Sequence, residues 1–83
     1  MRVRVKLFAT YREVVGAKDL VRSVREGAVL SDLLDGLLQE YPRLAGHRET
    51  MLLAVNREFA GPTQRLRDGD EVAVMPPVSG GRP

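Results

Sequence analysis

The chain has 83 residues and a net charge of +2, which suits one small domain with a single hydrophobic core. It contains no cysteine, so disulfide bonds and thiolate metal sites are excluded. The excess of basic residues is too small, and the aromatic residues are too few, to favour nucleic-acid binding. No segment approaches membrane-spanning length, and the sequence opens without an apolar signal region. We therefore expect a cytoplasmic protein that binds neither nucleic acid nor membrane.

Two strands are predicted at the start of the chain. From Arg2 to Phe8 aliphatic and basic side chains alternate, which predicts a strand with one buried face. Residues 9–15 can form a helical turn, and residues 16–19 turn the chain back. Leu20 to Val24 is predicted to be a second short strand, and it would form a hairpin with the first.

An amphipathic helix is predicted in the middle of the chain. Its apolar residues follow the i, i+3, i+4, i+7 spacing that places them on one face, so we expect them to form the core. Ser31 or a residue just before it would cap the start, and Pro42 ends the helix at Tyr41. The apolar stripe consists of Leu30, Leu33, Leu34, Leu37, Leu38 and Tyr41.

Three further strands are predicted in the second half of the chain. A polar loop at residues 43–50 leads into a strand from Met51 to Val55. Residues 56–58 then turn the chain into a short strand at residues 59–60, and the closing strand runs from Glu71 to Met75. The first and last strands would lie side by side and parallel, because the chain between them crosses over through the helix. The predicted fold class is therefore α+β, with a mixed sheet wrapped on one main helix.

The face of the sheet that the helix does not cover is also predicted to carry apolar side chains. Because side chains alternate along a strand, Val72 and Val74 would face the helix while Met75 faces away from it. Phe8 and Phe59 are expected to share this outer face. Scattered exposed apolar residues need no function, but a contiguous patch beside the end of the closing strand predicts a protein-docking surface. The same alternation directs Leu52 and Ala54 outward and Leu53 and Val55 inward, and it places Arg4 and Lys6 at the rim.

The chain after the closing strand has the composition of an extended arm. Asp68, Gly69 and Asp70 form a turn before that strand, and the two prolines after it cannot donate ladder hydrogen bonds. Two glycines follow, with nothing bulky enough to pack. We therefore divide the chain into a domain at residues 1–75 and an extended, flexible tail at residues 76–83. The tail consists of Pro76, Pro77, Val78, Ser79, Gly80, Gly81, Arg82 and Pro83.

The residues that could carry catalysis are isolated from one another in the sequence. His47 lies alone in the polar loop, and Ser79 has no histidine near it. Turn chemistry explains Asp68 and Asp70 without a metal. We expect no metal, no cofactor and no catalytic centre in this chain.

Two stretches of the second half, residues 68–73 and residues 76–81, together resemble the C-terminus of the MoaD family. That family is the small sulfur-carrier subunit of molybdopterin synthase, and it is related to ThiS and to ubiquitin. The run from Phe8 to Gly16 also looks like the first strand and loop of the family. The resemblance implies a β-grasp, ubiquitin-like fold, in agreement with the predicted order of strands and helix.

The resemblance implies a carrier and not an enzyme. In such a protein the carboxylate of the terminal glycine, here Gly81, is adenylated by an E1-like enzyme of the MoeB type and converted to a thiocarboxylate. The sulfur is then donated to a pterin precursor in the active site of a large synthase subunit of the MoaE type. In the family, apolar residues at positions matching Phe8, Phe59 and Met75 dock both partners.

The sequence departs from the family pattern after the second glycine, because the chain continues with Arg82 and Pro83. The Gly81 carbonyl is then held in a peptide bond and cannot be adenylated, so either a protease removes the two residues or the chain is not a carrier. Three alternatives stay open. The chain could be a ubiquitin-like modifier joined to lysines through Gly81, a sulfur carrier for thiamin, cysteine or tRNA thiolation, or an interaction domain with a disordered tail.

Overall fold

The computed structural model describes residues 1–77, which fold into a five-stranded sheet and three helical segments. The predicted strands and the main helix are confirmed, and their ends lie within one residue of the predicted ones. In this part of the chain no helix is long and apolar enough to span a membrane. The elements are β1 (Arg2–Leu7), α1 (Ala9–Val15), β2 (Asp19–Ser23), α2 (Leu30–Glu40), a 3₁₀ helix (Pro42–Thr50), β3 (Leu52–Val55), β4 (Glu58–Phe59) and β5 (Glu71–Met75).

The sheet has the strand order β2-β1-β5-β3-β4. The first and last strands, β1 and β5, are parallel neighbours, with Val5 beside Val72 and Leu7 beside Val74, as predicted. All other neighbouring strands in the sheet are antiparallel. A parallel pair needs a long crossover connection, and α2 lies within the connection between β1 and β5. The result is the predicted mixed sheet with one main helix.

The hydrophobic core lies between α2 and the face of the sheet that alternate residues of β1 and β5 form. The five leucines of the predicted helix stripe are buried, and Tyr41 is half-buried against them. Each fully buried aliphatic side chain stabilises the fold by roughly 1.5–3 kcal/mol, so the helix stripe contributes substantially to the stability of so small a domain. The strand residues that complete this core are Val3, Val5, Leu7, Val72 and Val74.

The start of α2 lies just before Ser31, within the range predicted for the cap. Val29 precedes the first turn, and the Asp32 carboxylate accepts a hydrogen bond from the Val29 N–H (3.0 Å). The Ser31 N–H donates to the Pro62 carbonyl oxygen (2.9 Å), which ties the helix to the connection before β5. Of the predicted alternatives, a residue before Ser31 is therefore the cap, and Ser31 itself lies inside the helix, which begins at Leu30.

The segment predicted as a polar loop is instead the 3₁₀ helix Pro42–Thr50. A proline fits the first helical turn because its missing N–H has no intrahelical partner there and its φ is preset. Leu44 is fully buried, and its N–H donates to the Tyr41 carbonyl oxygen (2.9 Å). The loop prediction is wrong because one buried leucine among polar residues produces no periodic pattern.

Candidate docking surface and C-terminal tail

The outer face of the sheet, opposite α2, presents one continuous row of side chains across four strands. Lys6 of β1 lies beside Ala73 of β5. Ala73 in turn lies opposite Ala54 of β3, and Ala54 lies opposite Phe59 of β4. Residues directly opposite each other on adjacent strands share a face, so the row runs from a cation, over two alanines, to an aromatic ring. Ala54 points outward as predicted, yet it is buried because its methyl group is shorter than its neighbours.

The predicted partner-binding residues are Phe8 and Met75, on or beside the neighbouring strands β1 and β5, and Phe59 on the edge strand β4, which β3 separates from β5. Phe8 follows β1 directly, and its N–H donates to the Val74 carbonyl oxygen of β5 (3.3 Å). Met75 ends β5 opposite Leu52 and is half-buried. Phe8 is 43% exposed and Phe59 is 78% exposed. We call the surface formed by Phe8, Ala54, Phe59, Ala73 and Met75 the outer patch.

A single carboxylate gathers basic side chains beside the outer patch. Glu71 Oε2 accepts a hydrogen bond from Arg4 Nη2 (3.0 Å) and lies 3.3 Å from Lys6 Nζ. Arg57 Nε approaches the other oxygen, Oε1, to 3.9 Å. The Glu71 side chain is only 16% exposed, whereas its three cationic partners are exposed. Positive charge is therefore exposed at this rim, where Arg4 and Lys6 were expected and Arg57 was not.

The turn between β3 and β4 is held in place by a polar network. Asn56 and Arg57 both have positive φ, 52° and 72°, as a two-residue hairpin turn requires. Asn56 Nδ2 donates to Asp70 Oδ1 (2.9 Å), and the Glu71 N–H donates to Asn56 Oδ1 (3.0 Å). Asp70 Oδ2 accepts a hydrogen bond from the Arg67 N–H (2.8 Å). Asp70 is therefore a structural residue, and the described part of the chain contains no group of three metal-ligating side chains.

His47 packs against a buried tyrosine. The ring centroids of His47 and Tyr11 are 5.5 Å apart, and the Thr50 hydroxyl donates to the His47 carbonyl oxygen (3.1 Å). The Tyr11 hydroxyl is buried and has no hydrogen-bond partner among residues 1–77. Burial raises the pKa of Tyr11 above 10.0; the Thr50 side chain lies near enough to oppose this partly, but it makes no hydrogen bond of good geometry with the phenol. We therefore describe the contact between Tyr11 and His47 as packing between α1 and the 3₁₀ helix.

The tail begins at the middle of the sheet. β5 pairs with β1 on one side and with β3 on the other. It ends at Met75, which is itself part of the outer patch. Pro76 is half-buried and Pro77 is exposed, and strand pairing has stopped before them. The remaining predicted tail residues, Val78, Ser79, Gly80, Gly81, Arg82 and Pro83, lie outside the described residues.

The chain is similar over its full length to small carrier and modifier proteins. It is 39% identical over 83 residues to the molybdopterin synthase sulfur carrier subunit of Chlamydomonas reinhardtii, with 98% of this chain and 100% of that protein covered. It is 38% identical over 92 residues to the small archaeal modifier protein 3 of Haloferax volcanii, with 98% and 100% covered.

Solved structures of such proteins have the same fold. The small archaeal modifier protein 1 of Haloferax volcanii superposes with a TM-score of 0.84 at 30% identity, covering 93% of this chain and 98% of that one. A chain of the complex of subunits 1 and 2 of molybdopterin-converting factor from Helicobacter pylori has a TM-score of 0.70 at 26% identity, covering 98% and 100%. The ubiquitin-like β-grasp fold predicted from the sequence is confirmed.

The ThiS family model matches residues 5–81, which include every described strand and helix except the first three residues of β1. The match ends on Gly81, the glycine singled out from the sequence, and leaves Arg82 and Pro83 outside it. The resemblance to the MoaD and ThiS proteins, first seen in the turn, the closing strand and the tail, extends over nearly the whole chain. The chain belongs to the ThiS family.

Proposed function

We propose that this chain is a sulfur carrier of the molybdopterin synthase type, working in the cytoplasm as a non-catalytic subunit. Its Gly81 carboxylate is adenylated, converted to a thiocarboxylate and used to donate sulfur during molybdenum-cofactor synthesis. The observation that carries the proposal is the 39% identity over 83 residues to a molybdopterin synthase sulfur carrier subunit. The family match, which ends on Gly81, agrees with it.

The proposed tail at residues 76–83 meets the physical requirements of an acyl donor. A carboxylate becomes a useful acyl donor only when a partner enzyme converts its oxygen into a good leaving group, here by joining it to AMP with release of pyrophosphate, so the end of the chain must enter that enzyme. Gly80 and Gly81 have no side chains that would collide with a narrow channel. Pro76 and Pro77 stiffen the base of the arm and reduce the entropy lost on insertion. Val78 and Ser79 add reach between them.

Two partner proteins follow from this chemistry. An E1-like adenylating enzyme of the MoeB type charges Gly81, and a large subunit of the MoaE type receives the sulfur. We propose that the outer patch docks both, with Phe8, Phe59 and Met75 as its anchors. Two exposed aromatic rings on the outer face support this assignment, Phe8 beside the end of β5 and Phe59 on the edge strand β4, because exposed aromatic side chains are typical interface anchors. The Helicobacter pylori complex of subunits 1 and 2 supports a large-subunit partner.

Removal of Arg82 and Pro83 is part of the proposal, since the Gly81 carboxylate must be free before adenylation. A proline at the end fixes φ, and an arginine before it brings a charged side chain that a glycine-width channel excludes. A tail-trimming protease would supply the mature form. ATP–pyrophosphate exchange with the adenylating enzyme tests this: a chain ending at Gly81 should be active and the 83-residue chain inert. A chain ending at Gly80 is the matched control, and equal activity of all three forms would contradict the trimming step.

A second function is supported by the similarity to the small archaeal modifier protein 3 of Haloferax volcanii. As a modifier, the chain would be joined through Gly81 to lysines of other proteins. Both functions start from the same adenylation, so they differ only in the acceptor. Mass spectrometry of the chain recovered from its source would distinguish them: a free thiocarboxylate supports the carrier, and an isopeptide bond to lysine supports the modifier.

A further inference from the structure

A small basic pocket opens beside Phe8, at the edge of the outer patch. It lies between the end of β1, the helix α1 and the start of β2, and its volume is about 190 Å³. Its charged lining consists of three cationic side chains and one carboxylate, and the Phe8 side chain forms part of its wall. The lining residues are Lys6, Leu7, Phe8, Arg12, Lys18 and Asp19.

Two of the cations in this pocket have no ion-pair partner within residues 1–77. Arg12 and Lys18 are both exposed, and neither forms an ion pair with an acidic side chain of that range. Lys6 is paired with Glu71, outside the pocket (3.3 Å). Asp19 is the single carboxylate among the lining residues, so the pocket keeps an excess of positive charge.

The arginines that border α2 are arranged differently, because each of the three acidic residues of that helix is paired with one of them. Arg22 Nη2 lies 2.7 Å from Glu40 Oε1, and Arg25 Nη2 lies 3.1 Å from Asp32 Oδ2. The third pair is formed by Arg48 and Asp35. Arg43 is also exposed and forms no ion pair within residues 1–77. Arg12 and Lys18 are therefore distinguished by lining one pocket together beside an exposed phenylalanine.

We propose that this pocket receives an aspartate or glutamate side chain of the partner protein that docks on the outer patch. The inference rests on the proposed function and states what that partner must present: an apolar cleft for Phe8, bordered by a carboxylate. The Arg12 guanidinium can hold a carboxylate through two parallel hydrogen bonds, and the Lys18 ammonium adds a second positive charge. Buried on docking, such a charge pair fixes the register of the complex and speeds its formation.

A protein carboxylate fits this pocket better than a phosphate does. Asp19 is part of the lining, and it repels a doubly charged phosphate more strongly than a singly charged carboxylate. The Phe8 side chain belongs both to the outer patch and to the lining of the pocket, so a protein docked on Phe8 lies next to the pocket. Its occupant therefore comes from the docked partner and not from a free anion.

Charge reversal tests the proposal directly. Arg12→Glu and Lys18→Glu should each weaken binding to the purified large subunit of molybdopterin synthase from the same source by about tenfold, mainly through a slower association rate. Arg43→Glu is the matched control, since Arg43 is exposed and belongs to the 3₁₀ helix, away from the sheet. The association rate of the unmodified chain should also fall steeply with added salt, and this dependence should be shallower for the two variants. Thermal melting checks that each variant is folded, and Arg12→Gln and Lys18→Gln replace any that is not.

The outcomes separate this inference from the proposed function. Phe8→Ala should weaken binding whether or not the pocket takes a carboxylate, because it removes an apolar anchor. If Phe8→Ala weakens binding while the charge reversals match Arg43→Glu, the pocket proposal is overturned and the docking surface stands. If Phe8→Ala has no effect either, both the docking surface and the pocket proposal fail. Thiocarboxylate formation on a chain ending at Gly81 tests the carrier function independently of either result.

Discussion

The two faces of the sheet are built from the same strands and differ in almost every other respect. On β5, Val72 and Val74 are buried against α2. The alternate residues of the strand, Glu71, Ala73 and Met75, belong to the outer face. Because successive side chains of a strand point to opposite faces, a change of one position moves a residue from the core to the proposed docking surface. We therefore expect stability and partner binding to depend on different residues of the same strand, so that a substitution on one face leaves the property of the other face intact.

The charges follow the same division. Glu71 on the outer face has three cationic neighbours, Arg4, Lys6 and Arg57, so positive charge is left over beside the outer patch. The three acidic residues of α2 are each paired with one arginine. Pairs whose cations are exposed contribute little to stability, so we propose that the positive charge beside the outer patch serves the proposed docking.

The largest expected effect is on the core side of the comparison. Leu37→Ala should lower the free energy of unfolding by roughly 2–5 kcal/mol, because it removes buried methyl groups and leaves a cavity against the sheet. Urea denaturation measures the change. Gln39→Ala, at an exposed position of the same helix, is the control and should have little effect. Equal stability of the two variants would show that the leucine stripe of α2 does not form the core.

The matching change on the outer face should act on binding alone. Phe59→Ala should weaken binding to the large subunit by about 2 kcal/mol or more, since an exposed aromatic anchor would be lost. Calorimetric titration gives the affinity, and the unfolding curve should be unchanged. Val21→Ala is the control, because Val21 is exposed on β2 but lies outside the outer patch. A variant that binds normally, or that unfolds instead, would show that Phe59 is not an anchor.

A smaller effect is expected at Tyr11, where a buried hydroxyl lacks a partner among residues 1–77. Tyr11→Phe should raise the free energy of unfolding by about 1 kcal/mol, because the unpaired hydroxyl no longer has to leave water. Since burial raises the folded-state pKa of Tyr11, its neutral form favours folding below pH 10.0, and stability falls as the pH rises through that pKa. The advantage of the variant should therefore grow above pH 10.0, and denaturation curves at neutral and alkaline pH would reveal it. A destabilised variant would mean that the hydroxyl has a hydrogen-bond partner.

The smallest effect concerns the turn that carries Arg57. Its φ of 72° is unfavourable for an arginine, and glycine is the preferred residue at the second position of such a hairpin turn. Arg57→Gly should stabilise the domain by roughly 0.5–1 kcal/mol, measured by thermal unfolding. The Glu71 contact that it removes is long and exposed and is worth little (3.9 Å). A loss of stability would show that this contact matters more than the backbone strain.

The strands and the main helix could be predicted because their side chains repeat with periods of 2 and 3.6 residues. The 3₁₀ helix could not, since its one buried residue, Leu44, creates no period. The contacts of Glu71 with Arg4 and Arg57 were also missed, because they join residues far apart in sequence and depend on strand order. The chemistry of the tail came from resemblance: two glycines identify a carrier only in the context of the turn, strand and prolines before them.

The central claim is that Gly81 carries sulfur, and intact mass spectrometry tests it most directly. A chain ending at Gly81 would be incubated with its cognate adenylating enzyme, ATP and a sulfur donor. The mass should rise by the difference between a sulfur and an oxygen atom, and a chain ending at Gly80 should stay unchanged. An unchanged mass for the Gly81 form, with an enzyme that activates ATP and charges an established carrier in parallel, would contradict the assignment.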